Sequence, residues 1–101
     1  MLGHMVYFTL RDNSAAAVDN LVAACRHFLT DPPGTTFFAV GTRVPDLDRP
    51  VNDRDFDVAL QLVFESREAH DVYQTHERHL TFIEENKSSW QQVRVFDADI
   101  S

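Results

Sequence analysis

The residues best suited to chemistry near neutral pH are three histidines and a tyrosine: His4 near the start of a predicted strand, and Tyr73, His76 and His79 on a predicted helix. An imidazole works as base, acid or metal ligand in this range, and a phenol donates or accepts a hydrogen bond. His76 and His79, one helical turn apart, can clamp a divalent metal with Glu77 or His4 as third ligand. Histidines recur at this spacing without metal, however, and the expectation is a site with neither metal nor cofactor. Structural roles are open to the same residues. His4, facing the helices from the mouth of its strand, can be a hydrogen-bonded core or capping histidine. His76 shares a stripe with Tyr73 and Leu80 and can cap or staple the helix. Tyr73 can pack in the core with its hydroxyl bonded to backbone or turned into a pocket. His79 falls off the stripe and is the histidine expected to face a pocket.

Other reactive types read as ordinary structure. Cys25 lies among Val18, Leu21, Val22, Phe28 and Leu29 on an apolar helix stripe and reads as core, not as a reactive thiol. His27 and His70 fall on charged, exposed surfaces, and Trp90 reads as a lid on the core. The aspartates at 46, 48, 53 and 55 lack the glycine and terminal glutamate of a calcium hand, which leaves a solvated loop.

A scaffold must position these groups, and 101 residues, 44% hydrophobic and 25% charged, suffice for one domain over positions 1–101. The net charge is -7 and the basic residues are scattered singly. A phosphate backbone finds no basic patch, and an anionic membrane surface repels the chain. Nucleic acid and membrane are thus excluded as expected partners. The first ten residues lack the basic flank and long apolar run of a signal peptide or membrane span. With a single cysteine, this points to a reducing, cytoplasmic setting.

Strand-forming types from His4 to Leu10 end at Arg11-Asp12-Asn13. A helix from about 14 to 30 follows, capped by Asn13 or Ser14 and stopped by Asp31-Pro32-Pro33-Gly34. Residues 35–44 read as a second strand with Gly41 a candidate bulge, and 56–64 as a third. Ser66 caps a second helix, on which Ala69, Val72, Tyr73, His76, Leu80 and Ile83 form one face until 86–89. Residues 91–100 form the last strand. The order β-α-β-β-α-β fits a ferredoxin-like α+β fold, an antiparallel sheet in order 4-1-3-2 with both helices on one face.

The other sheet face carries the partner expectation. If His4, Val6, Phe8 and Leu10 face the helices, Met5 and Tyr7 face away; likewise Val58, Leu60, Leu62 and Phe64 face in, and Ala59 and Val63 out. Both faces are apolar, so a second copy is expected to cover the outer one. Met5, Tyr7, Ala59, Val63 and some of Phe38, Val40, Phe96 and Ile100 are the expected interface of this homodimer.

In order and spacing, His4-x-Val6-x-Phe8, Gly34 and Gly41, Phe56-Asp57-x-Ala59-Leu60, Phe64-Glu65-Ser66-x-Glu68-Ala69, Tyr73-x-x-His76, His79 and Val95-Phe96-Asp97 resemble the stress-responsive A/B barrel family over nearly the whole chain. The resemblance implies a dimeric α/β barrel. The family includes a plant polyketide cyclase that closes a linear polyketide by an aldol step, plant proteins linked to heat and salt stress, and bacterial members of unknown role. Small monooxygenases are structural relatives, and fold alone does not choose among these activities.

The cyclase's pocket tyrosine and histidines match Tyr73, His79 and His4, which the resemblance therefore implies as catalytic. In that role an imidazole removes a proton next to a carbonyl and a phenol donates to the oxyanion that forms. His76, Val58, Phe8 and Leu60 are the expected ligand-binding residues. Two positions depart from the pattern. Val58 stands where the cyclase has a pocket histidine, and Glu77 stands where a family proline would interrupt the helix. On an unbroken helix Tyr73 and His79 are roughly 120° apart around the axis. The implied function is binding of a small, largely apolar carbonyl compound, with cyclase or isomerase chemistry from the His/Tyr pair. The alternatives are a non-catalytic, stress-related dimer that binds a hydrophobic ligand, or a cofactor-free monooxygenase.

Overall fold

Alternating burial along the first strand is the clearest outcome of its sequence: in β1 (Leu2–Leu10), Val6, Phe8 and Leu10 are buried while Met5, Tyr7 and Thr9 are half-buried on the other face. β3 (Val58–Phe64) repeats the pattern, with Val58, Leu60, Leu62 and Phe64 inward. A computed structural model describes residues 1–101. With β2 (Thr35–Thr42) and β4 (Trp90–Asp99) it gives one antiparallel sheet in the order β2-β3-β1-β4, the expected order read from the opposite edge. The helix α1 (Ala15–Leu29) starts where Ser14 Oγ accepts from the Ala17 amide and sets Leu21, Cys25 and Leu29 inward. Cys25 is fully enclosed, and burial pushes its thiol up to about 12. No helix is long and apolar enough to cross a membrane.

The second helix departs from expectation. It is two helices, α2 (Arg67–Thr75) and α3 (Glu77–Asn86), separated by His76 in extended conformation at φ -65°, ψ 140°. No proline is needed. His76 Nδ1 accepts from the Arg78 amide at 3.1 Å and so caps α3, while Glu77 sits in the first turn where the helix dipole favours it. Arg78 then reaches back to α1, donating through Nε to the Phe28 carbonyl at 3.2 Å and through Nη2 to the His27 carbonyl. These bonds fix a new phase for α3. Phe82 becomes core, whereas Val72 and Leu80, expected on the buried face, are exposed.

Smaller corrections follow from register. Gly41 pairs in line with Ala59, and the irregularity lies between Thr35 and Phe37. Phe37 consequently points outward, whereas Val40 is buried and Phe38 packs against the core, so neither belongs to the outer face. β3 begins at Val58 because Asp57 turns back on β1: its amide donates to the Phe8 carbonyl, and its carboxylate accepts from the Leu10 amide. The loop before it covers part of the outer face. Arg94 of β4 donates to both carboxylate oxygens of Asp53, and Phe56 meets Tyr7 edge-on at 5.1 Å.

Gly34 has φ +81°, and a Cβ there would lie 2.5 Å from the Ala69 Cβ. The left-handed conformation alone costs an L-residue roughly 1–2 kcal/mol. Gly34→Ala is therefore expected to lower unfolding free energy by at least about that amount, read from urea titration. An unchanged midpoint would show that the turn refolds around the methyl group.

Candidate active site

Between the inner sheet face and α2–α3 lies a cavity of about 380 Å³, within the size range of small-molecule sites. One part of its wall is apolar, including Phe8, Leu29, Leu60, Phe82, Ile83 and Trp90; the polar part comprises His4, His70, Tyr73, Gln74, His79 and Asp97. It opens along β4, where Val93 and Val95 face the helix side yet remain exposed.

The break at His76 brings the two principal candidates together. The Tyr73 and His79 rings approach to 4.5 Å between centroids, and the His4 ring lies 5.9 Å from Tyr73 on the sheet side. His79 Nδ1 is 3.1 Å from the Gln74 carbonyl, an oxygen near the end of α2. A carbonyl only accepts, so Nδ1 carries the hydrogen and Nε2 keeps the lone pair. Burial lowers the pKa of His79, the neighbouring His4, His70 and His76 reinforce the shift, and the Gln74 bond opposes it. The imidazole is thus neutral at pH 7. Burial raises the Tyr73 phenol well above its ordinary range, which keeps it a proton donor.

His4 is 4% exposed, and its Nδ1 lies 2.5 Å from Asp97 Oδ1 across the β1–β4 ladder. This short contact satisfies a buried imidazole and holds its ring against the cavity.

Of the expected site residues, Tyr73, His79, His4, Phe8 and Leu60 line this one cavity. Val58 and His76 do not. Val58 is fully enclosed beneath the helices, and His76 is occupied in capping α3 beside a separate small cavity. His70, expected on the exposed surface, instead has a side chain only 14% exposed and stacks 5.1 Å from His4. Two polar cavity residues, Gln74 and Asp97, carry no expected site role. The signals were present: His70 and Gln74 lie three before and one after Tyr73 on the same helix, and Asp97 is the residue opposite His4 once β1 and β4 are paired.

A protein-family model, the Stress responsive A/B Barrel Domain, matches residues 2–100. The chain belongs to this family. Among solved structures, a family member from Mesorhizobium loti with a ferredoxin-like fold superposes with a TM-score of 0.81 at 19% identity, covering 99% of this chain and 96% of that one. A dimeric ferredoxin-like protein of unknown function from Thermobifida fusca gives 0.78 at 15% identity, covering 98% and 90%. The hydroxynitrile lyase of Passiflora edulis gives 0.77 at 21% identity, covering 99% and 93%. No curated protein sequence matches the chain. At these identities the structures establish that the A/B barrel domain has the ferredoxin-like fold, and they leave its activity to the site.

The His79 shift gives this A/B barrel domain a pH signature. Its native pKa lies below the unfolded value of about 6.5, so between the two the unfolded chain binds more protons and stability falls as pH falls. His79→Gln is expected to remove this component. Urea midpoints from pH 7.5 down to 5 should show a smaller acid loss in the variant than in the parent; parallel curves would contradict the assignment.

Proposed function

We propose that each chain binds a small, largely apolar carbonyl compound in the 380 Å³ cavity and promotes proton transfer next to the carbonyl. The 4.5 Å approach of Tyr73 and His79 at the polar end of a mostly apolar chamber carries this reading. His79 Nε2 takes a proton from the carbon beside the carbonyl, and the C–H electron pair forms the enolate. Charge develops on the oxygen, to which the Tyr73 hydroxyl donates. Return of the proton to another carbon is isomerisation, and attack of the enolate carbon on a second carbonyl of the same molecule is cyclisation. The fold does carry catalysts, since a hydroxynitrile lyase shares it.

The functional unit is a homodimer. Phe37 and Phe96 are half exposed on the outer sheet face, and a structural relative is described as dimeric.

Incubating the protein in D2O with an aryl methyl ketone, and following methyl exchange by NMR, tests the catalytic reading. Saturable exchange faster than in buffer is expected. Saturable binding with exchange no faster than in buffer would favour a ligand-binding module, a reading to which the large apolar share of the wall also lends support.

A further inference from the structure

His4 on β1, His70 on α2 and Asp97 on β4 each bring one donor atom within 4.8 Å of the others at the cavity wall. Three separate elements must meet to make this cluster, and the proton-transfer reading uses none of it. His70 is oriented as a ligand would be. Its Nδ1 is 3.0 Å from Asp71 Oδ1, and since a carboxylate accepts, Nδ1 carries the hydrogen and Nε2 the lone pair. The Gln74 amide lies 3.3 Å from that Nε2. A carboxylate behind the distal nitrogen is the usual support of a metal-binding imidazole.

We propose that His4, His70 and Asp97 bind one divalent transition-metal ion of the zinc class, with its remaining coordination position open to the cavity. Two imidazole nitrogens and one carboxylate oxygen suit such an ion, whereas magnesium and calcium prefer oxygen alone. Donors about 2.0–2.2 Å from a tetrahedral ion stand roughly 3.3 Å apart. The cluster reaches this by modest side-chain movement: Asp97, whose side chain is 44% exposed, swings out from its 2.5 Å contact with His4, and the ion takes the place of the proton between them. This goes beyond the proton-transfer reading, because the ion would polarise a carbonyl oxygen that otherwise meets only the Tyr73 hydroxyl. It stands on metal binding without any carbonyl compound, so it fails independently of that reading.

The test is a Co²⁺ titration of chelator-treated full-length protein, followed by visible absorption, with Zn²⁺ competition by calorimetry. One ion per chain, with ligand-field bands of low-coordinate cobalt, is expected. Asp71→Asn, which removes the carboxylate behind His70 together with an exposed pair to Arg67, should weaken binding about 10-fold, and His70→Gln or Asp97→Asn by more. His27→Gln, on the exposed face of α1, should leave the affinity unchanged. Either ligand variant that remains folded by circular dichroism decides the matter. Absence of saturable binding at micromolar metal would overturn the proposal. So would binding that survives loss of His70 or Asp97, because the ion would then sit on surface groups such as His27.

Discussion

His79→Ala will slow exchange of a bound ketone's α-protons by about 10²–10⁴-fold, the range that a positioned base contributes. The side chain has one free nitrogen in the cavity, since the Gln74 carbonyl occupies the other. Burial keeps that nitrogen unprotonated at pH 7, and no other imidazole lies so close to the Tyr73 ring. The truncation also leaves the Gln74 carbonyl without its partner, at a cost of roughly 1 kcal/mol, which urea titration measures separately. Ketone affinity should change far less than the rate, because most of the wall is apolar and untouched. Exchange at the parent rate in a folded His79→Ala protein would remove the base from the account.

On the proposed homodimer, Val63→Glu will abolish assembly and strongly destabilise the chain. Val63 faces outward near the C-terminal end of β3, opposite Gly3 on one side and Phe37 on the other. Covered by a second sheet, a carboxylate there meets no partner, and an unpaired buried charge costs several kcal/mol. Stable obligate interfaces bury roughly 2,000 Å² or more, so losing the partner also returns Phe37, Phe96 and their neighbours to water. Sedimentation velocity at low micromolar concentration should show two chains for the parent and an unfolded or aggregating single chain for the variant. A stably folded parent of one-chain mass would contradict the dimer.

Strand order and inward faces were legible because a period of two is a strong signal in half-buried strands: Val6, Phe8, Leu60 and Leu62 lie where alternation puts them. The helix break was not legible. The stripe from Ala69 to Ile83 continues through His76, and what interrupts it is tertiary, namely Arg78 bonding to the end of α1 more than 40 residues away. Sequence spacing carries no trace of that contact. Asp97 illustrates the same limit in a strand. Its role depends on the β1–β4 register, which aligns it with His4 across 93 positions. His70 departs from expectation because its neighbours Glu68 and Asp71 suggest a solvated face, whereas His4 and Phe64 enclose its ring.

A double-mutant cycle on the exchange rate tests most directly the proposed cooperation between Tyr73 and His79 across the break at His76. The four proteins are the parent, Tyr73→Phe, His79→Ala and the double variant. If the phenol stabilises the enolate that the imidazole generates, removing the second group after the first costs little, and the double variant is about as slow as His79→Ala alone. Rate losses that multiply as independent factors would contradict a shared site.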